Sequence, residues 1–172
     1  MGKLYDIKGY WNYDTDLDHD NLNMWQGKII LYEDNWFEGL VYDSNSFDTE
    51  EKLVLGIYYP DKFIDLYKFS FIKDYAPASF SGKKGTNGYV GGLEVTVSKG
   101  KVAHGFCHIV TQCSELVRNN VSLEISELTD SIYKYVNFKL TREEVFYYEA
   151  IAGHRDFLCD FYRRQNDDSK NI

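Results

Sequence analysis

The stretch "YVGGLEVTVSKGKVAHGFCHIVT" (residues 89–111) indicates most directly how this chain folds. In its first half, apolar Leu93, Val95 and Val97 are separated by the polar residues at positions 94 and 96. A period of two places the apolar side chains on one face of a β-strand. Lys99-Gly100 is then typical of a tight hairpin turn. The stretch therefore predicts two neighbouring antiparallel strands.

Seven further segments are rich in β-branched and aromatic residues or alternate in the same way. Short polar turns or longer polar stretches separate them. They are "KLYDIKGYWNYD" (3–14), "MWQGKIILYE" (24–33), "WFEGLVYD" (36–43), "KLVLGIYY" (52–59), "FIDLYKFSF" (63–71), "VSLEISEL" (121–128) and "SIYKYVNFKL" (131–140). The sequence therefore predicts about eight or nine strands in succession.

The connections between these strands alternate between tight turns and longer loops. In an antiparallel meander, alternate connections lie at opposite ends. We therefore predict a mainly β fold, an up-and-down barrel or strongly curled meander, with one end open and ringed by long loops. Closing the sheet would remove its edges. The alternative is an α+β fold in which a curled antiparallel sheet surrounds the helix.

The period changes in "TREEVFYYEAIAGHRDFLCDFYRRQ" (141–165), which predicts a C-terminal helix. Thr141 and Glu144 have the spacing of a capping box at the start of this helix. Gly153 predicts a kink or a break in its middle. We expect one barrel-plus-helix domain over residues 1–165 and a flexible tail over residues 166–172.

The acidic residues are concentrated in one part of the chain. The net charge of the whole protein is −8, whereas residues 14–51 alone carry −10 and the remainder carries +2. Eight acids fall in the two loops expected at the open end, and we interpret them as a surface for a basic partner protein. They are Asp14, Asp16, Asp18, Asp20, Asp43, Asp48, Glu50 and Glu51. Lys73, Lys83 and Lys84, from the loop expected over residues 72–87, should reach the same end and neutralise part of this charge.

Gly9-Tyr10-Trp11, in the first predicted strand, resembles the GxW motif of lipocalins. The expected layout also resembles theirs, with a long first loop, successive hairpins and a helix after the barrel strands. This resemblance implies an eight-stranded barrel that holds a small, often apolar molecule inside it. An eight-stranded barrel is wide enough for one such ligand. Trp25, Tyr58, His104 and His108 are the candidate ligand-binding residues.

Several other classes of function lack their sequence signals. The acidic run at residues 14–25 departs from a calcium-binding EF-hand loop at the required glycine, which is His19, and at the required final glutamate, which is Trp25. We identify no catalytic residue, metal-ligand set or cofactor motif, and we lean against an enzyme. The charge of the acidic region argues against direct nucleic-acid binding. The apolar runs are too short to span a bilayer, and no secretion signal is recognisable, so we expect no membrane association and a cytoplasmic location.

Two hypotheses for the function follow. The first is a non-enzymatic protein that binds a small, partly apolar ligand in a barrel cavity. The second is an acidic interaction module, of the inhibitor or immunity type, that masks the basic surface of another protein.

Overall fold

A computed structural model describes residues 2–14, 22–44, 50–69, 76–98, 100–114 and 120–170. Eight strands are followed by three helices in these residues. The strands are β1 (Lys3–Tyr13), β2 (Asn23–Leu31), β3 (Trp36–Asp43), β4 (Lys52–Tyr59), β5 (Phe63–Lys68), β6 (Ala78–Gly85), β7 (Gly88–Ser98) and β8 (Lys101–Cys113). The helices are α1 (Val121–Phe138), α2 (Arg142–Ala152) and α3 (Arg155–Lys170).

The strands form a closed antiparallel barrel in sequence order. Each strand pairs with the next, and β8 returns to pair with β1, with Gly9 opposite Ile109. Closure leaves no strand with an unpaired edge, which removes the usual site of edge-to-edge aggregation. The prediction of a mainly β, up-and-down barrel followed by helical structure is confirmed, and the alternative of a curled sheet around a helix is wrong.

Residues 121–140 were expected to form two strands, and this prediction is wrong. They form α1, because their apolar residues recur at helical spacing, as in Ile125, Leu128 and Ile132. A strand would place Leu123 on one buried face with Val121 and Ile125, yet Leu123 is 61% exposed. A few residues of alternation are compatible with either period, so length and packing decide between them.

Residues 78–85 were expected to lie in a long loop, but they form β6. Ala78, Phe80 and Gly82 point inward, and the intervening small and polar residues conceal the alternation. Because β6 is an additional antiparallel strand, the chain at residues 83–85 reaches the end of the barrel opposite the one expected for a loop. Lys83 and Lys84 therefore lie near the turn end of the barrel, which is formed by the last residues of β2, β4, β6 and β8. The expectation that they share an end with the acidic loops is wrong, and Lys73 lies outside the described residues.

The barrel interior is filled by side chains. Its buried residues are Ile7, Trp25, Ile29, Leu31, Phe37, Val41, Val54, Tyr58, Ile64, Leu66, Ala78, Phe80, Tyr89, Leu93, Cys107 and Ile109. Seven of the eight strands also place one glycine on this inner face, at positions 9, 27, 39, 56, 82, 91 and 105. A Cβ added at Gly9 would lie 2.1 Å from the indole ring of Trp25. Gly9 therefore provides space that Trp25 occupies. At Gly27, Gly39, Gly56, Gly91 and Gly105, an added Cβ would instead meet a backbone oxygen of the neighbouring strand.

The helices cover only part of the outer surface. A second buried cluster joins outward residues of β1–β5 to the helices, through Ile132 and Tyr135 of α1 and Cys159 of α3. The outer faces of β7 and β8 leave apolar side chains in solvent, and Val90 is 55% exposed. The barrel thus has a helix-covered side and an uncovered side.

The helical predictions hold at the start of α2, and α3 extends further than the expected helical segment. Thr141 Oγ1 accepts a hydrogen bond from the Glu144 backbone N–H at 3.2 Å, and Glu144 Oε1 accepts one from the Thr141 backbone N–H at 3.1 Å. The predicted capping box is therefore present, and a break at Gly153 separates α2 from α3. Helix α3 continues to Lys170, five residues beyond the helical segment expected from the sequence. Asn166 Nδ2 donates to the Tyr162 carbonyl at 2.9 Å within this extension.

Replacing two neighbouring glycines of β7 by alanine should have different effects on the stability of the protein. A Cβ at Gly91 would lie 1.8 Å from the Ser81 carbonyl oxygen, whereas one at Gly92 would meet only the Gly105 oxygen, at 3.8 Å. We expect Gly91→Ala to lower the free energy of unfolding by about 2 kcal/mol, because the strands must separate locally. Gly92→Ala should change it by about 0.5 kcal/mol or less. Urea denaturation of both variants tests this, and equal effects would contradict the inward placement of Gly91.

Candidate functional site

A groove of about 530 Å³ lies on the outer surface, where β5, β6 and β7 meet α3. We call it the outer groove. Its strand residues include Phe63, Asp65, Ser81, Lys83, Val90 and Gly92, and its helix residues are Tyr162, Gln165 and Asn166. The groove therefore occupies the border between the helix-covered side of the barrel and the uncovered side.

Strand register brings the floor of the outer groove together. Phe63 pairs with Lys83, and Lys83 pairs with Val90, which gives one row across three strands. Asp65, Ser81 and Gly92 form the adjacent row in the same way. These positions alternate with inward residues, so their side chains face outward.

Gly92 gives the floor its depth. It has no side chain to fill the space above the sheet, and an added Cβ would have one neighbour within 4 Å, at 3.8 Å. The adjacent Val90 contributes an exposed apolar surface. The floor is therefore open and partly apolar at this point.

Aromatic rings form one wall of the groove. The ring of Phe63 stacks on that of Tyr59, with centroids 5.2 Å apart, and lies tilted against that of Tyr162, with centroids 5.5 Å apart. The Tyr162 hydroxyl donates to Asp65 Oδ2 at 2.8 Å. Burial, and then the hydrogen bond to Asp65, raise the pKa of Tyr162 well above its usual value, so the hydroxyl remains a donor. This bond joins α3 to the barrel and holds the wall in position.

Some polar groups of the groove already form hydrogen bonds within the protein, and others remain available to a bound molecule. Asp65 accepts from Tyr162 at one oxygen and from Ser81 Oγ at the other, at 2.8 Å. Within the described part of the chain, the Lys83 ammonium group and the Gln165 side-chain amide have no hydrogen-bond or ion-pair partner. The groove thus offers one cation and one amide to a bound molecule, next to an aromatic wall.

Two of the predicted ligand-binding residues lie inside the barrel. Trp25 is fully buried and packs edge-on against Phe80, with ring centroids 5.6 Å apart. Its indole N–H has no hydrogen-bond partner among the residues that the structure describes. The Tyr58 hydroxyl bonds to Thr111 Oγ1 at 2.7 Å and to the Tyr89 hydroxyl at 3.0 Å, and burial raises its pKa well above the usual value. Both residues pack within the interior and do not reach the outer groove.

The other two predicted ligand-binding residues, His104 and His108, lie on the outer face of β8. His104 Nδ1 is 3.6 Å from Glu94 Oε1, and its side chain is 61% exposed. His108 Nε2 is 2.6 Å from the Asn87 carbonyl oxygen and lies beside Tyr10. The residues that alternate with them along β8 face inward, and of these Cys107 and Ile109 belong to the buried interior. The expectation that these histidines line a barrel cavity is therefore corrected by the register of β8.

The predicted acidic surface is only partly described. Asp14, Glu50 and Glu51 are exposed and lie next to the loop end of the barrel, which is formed by the last residues of β1, β3, β5 and β7. Asp16, Asp18, Asp20 and Asp48 lie outside the described residues. The structure thus brings three of the expected acids to one end.

Asp43 was expected to join this exposed acidic surface, and that expectation is corrected. It points into the loop end of the barrel, where its carboxylate bonds to Lys52 Nζ and, at 2.9 Å, to Lys68 Nζ. Both lysines are buried. Burial alone would raise the pKa of Asp43, but the charges and hydrogen bonds of Lys68 and Lys52 outweigh it and lower the pKa below its usual value. We therefore interpret Asp43 as part of a buried ion cluster that stabilises this end.

Sequence reasoning missed the outer groove because it placed residues 78–85 in a loop. The last glycine of "GTNGYVGG" (85–92) opens the groove floor, and its neighbours in the sequence do not by themselves indicate this role. The alternation in "ASFSGKKG" (78–85) was the available signal for the missing strand.

No protein-family model, curated protein or solved structure matches this chain. Within the described ranges, no group of three or more His, Cys, Asp or Glu residues is arranged to hold a metal ion. Among the same residues, no helix is long and apolar enough to cross a membrane.

Removing the Asp43 carboxylate should destabilise the barrel. We expect Asp43→Asn to lower the free energy of unfolding at neutral pH by about 3 kcal/mol, because two buried ammonium groups lose a shared partner. Because the folded pKa of Asp43 is lowered, its contribution is present above about pH 4, its unfolded pKa, and is lost as the pH falls through the folded value. Urea denaturation of both proteins across this pH range should show their difference shrinking.

The exposed Asp14 provides the control for this measurement. Asp14→Asn should change the free energy of unfolding by about 0.5 kcal/mol or less at every pH tested. An effect of Asp43→Asn as small as that of Asp14→Asn would overturn the assignment of Asp43 to a stabilising ion cluster.

Proposed function

We propose that this protein is a non-enzymatic binding protein for a small, partly apolar molecule, and that the molecule lies in the outer groove. The observation that carries this proposal is the groove itself. Its volume of about 530 Å³ falls within the ~300–1,000 Å³ typical of small-molecule sites. The barrel interior, the location first expected, is occupied by the large side chains of Trp25, Tyr58 and Phe80.

The lining of the groove favours a planar molecule with an anionic or hydrogen-bond-accepting group. A flat ring fits against the aromatic wall formed by Phe63 and Tyr162. The ammonium group of Lys83 and the side-chain amide of Gln165 then bind the polar group of the ligand. Neutralising a charge and covering apolar surface together provide both orientation and affinity.

The groove supports binding rather than catalysis. Ser81 and Tyr162 both donate to Asp65, so these hydroxyl groups are used to hold the wall in place. The barrel architecture supports a likeness to lipocalins, which also place a helix after an eight-stranded barrel. The ligand position proposed for this chain differs from theirs, because the likeness implies a site inside the barrel. The free thiols of Cys107, Cys113 and Cys159 support a reducing, cytoplasmic setting.

Filling the groove should weaken ligand binding without unfolding the protein. A thermal-shift screen with fatty acids, porphyrins and flavins identifies a ligand, and isothermal titration then measures its affinity. We expect Gly92→Leu to weaken that affinity about tenfold or more, because the leucine occupies the space above the floor. Thr96→Leu is the matched control, since Thr96 lies four residues along the outward face of β7 and outside the groove.

Lys83→Met tests the proposed polar contact separately. It should weaken an anionic ligand about tenfold while leaving a neutral analogue of the same shape unchanged. A ligand whose affinity is the same in the wild type and in Gly92→Leu would bind elsewhere, and the proposal for the groove would be abandoned.

A different observation supports the second candidate, an acidic interaction module. Asp14, Glu50 and Glu51 are exposed near one end of the barrel, away from the outer groove. Like charges grouped at one end accelerate association with a basic protein surface and make it sensitive to salt. On this proposal the partner is a basic protein, and the acids mask its surface.

The two candidates predict different effects of neutralising these acids. The triple variant Asp14→Asn, Glu50→Gln and Glu51→Gln should lose a partner that the wild type captures from the source cells and releases at high salt. The same variant should bind groove ligands normally. Capture of the same partner by the triple variant, with unchanged salt sensitivity, would rule out these acids as the interaction surface.

A further inference from the structure

Helix α3 has two apolar faces, and within the described residues one packs against the barrel while the other is exposed. Leu158, Cys159 and Tyr162 pack against the barrel side of the helix. On the other side, Phe157 and Phe161 are 70% and 46% exposed, and their rings stack with centroids 6.5 Å apart and planes 16° from parallel. Two aromatic rings held together in water form an apolar patch of the kind that occurs at interfaces.

The charges of α3 favour a second copy of this chain as the partner for that patch. Residues 155–170 contain four acidic and four basic residues, so the helix is neutral in a protein of net charge −8. The excess negative charge of the protein lies in residues 14–51, so two neutral α3 helices can approach each other without net repulsion between them. Arg164 lies one turn from Phe161 on the same face, and its Nε is 3.0 Å from Asp160 Oδ2.

We propose that the protein forms a homodimer with twofold symmetry, in which the outer faces of two α3 helices pack antiparallel with the axis passing near Phe161. Residues four positions before and after the axis then lie opposite each other. Phe161 meets the partner subunit's Phe161, and Phe157 lies opposite the partner subunit's Arg164 to within one residue, a rise of about 1.5 Å. A guanidinium group over an aromatic ring is a favourable contact. This arrangement covers both exposed rings and uses the same surface on each copy.

Charge placed at the axis tests this symmetry directly. In Phe161→Lys, two ammonium groups would meet at the axis, and in Phe161→Glu, two carboxylates would meet. We expect wild-type protein to sediment as a dimer in analytical ultracentrifugation and each variant to dissociate with a Kd raised about tenfold or more. An equimolar mixture of the two variants should restore a dimer, because lysine then faces glutamate. Phe161 is exposed, so each variant should keep the circular dichroism spectrum of the wild type.

Phe146→Lys is the matched control, because Phe146 of α2 is 69% exposed but does not belong to the α3 face. It should leave the dimer intact. A wild-type protein that stays monomeric at submillimolar concentration would overturn the proposal, and the patch would then belong to a different partner. A mixture of Phe161→Lys and Phe161→Glu that remains monomeric would also overturn it, since the axis would not pass near Phe161.

Discussion

The narrow interior of a closed eight-stranded barrel is the constraint on which the rest of this structure depends. In this protein the barrel interior is filled by the side chains of its own strands. Trp25 is accommodated because Gly9, directly across from it on β1, has no side chain at the position the indole occupies. Six other strands also carry one inward glycine each, and at five of these positions an added Cβ would meet a backbone oxygen of the neighbouring strand. These glycines therefore allow the strands of the narrow barrel to approach each other closely.

Because the barrel interior is filled, the proposed binding site of this protein lies on its outer surface. The helices cover the outward apolar residues of β1–β5, and the border of that cover creates the outer groove. Tyr162 has two roles at this border, because its ring forms the groove wall and its hydroxyl bonds Asp65 of the barrel. The position of the groove thus depends on the docking of α3 as much as on the strands. The free face of the same helix carries Phe157 and Phe161, so α3 connects the groove to the surface proposed for dimerisation.

Acidic side chains within residues 14–51 differ in burial, although they are close together in the sequence. Asp43 belongs by sequence to the acidic region, yet it lies between Lys52 and Lys68 inside the loop end of the barrel. Its charge stabilises two buried cations and is largely unavailable to a partner. Asp14, Glu50 and Glu51 remain exposed near the same end. A net charge counted along the sequence therefore overestimates the negative charge that another molecule would meet.

The sequence by itself determined the antiparallel strands with clear alternation, the β7–β8 hairpin, the capping box at Thr141 and the helix break at Gly153, because each depends on residues close together in the chain. Local pattern was insufficient for α1, where a few alternating residues were compatible with strand or helix, and for β6, where serine, glycine and lysine concealed the inward face. Missing β6 also reversed the expected ends of Lys83 and Lys84. Only the tertiary structure decided that His104 and His108 face outward, that Asp43 is paired and that Tyr162 meets Asp65. Those outcomes depend on closure of the barrel and on packing between residues as far apart as 65 and 162, which no local pattern records.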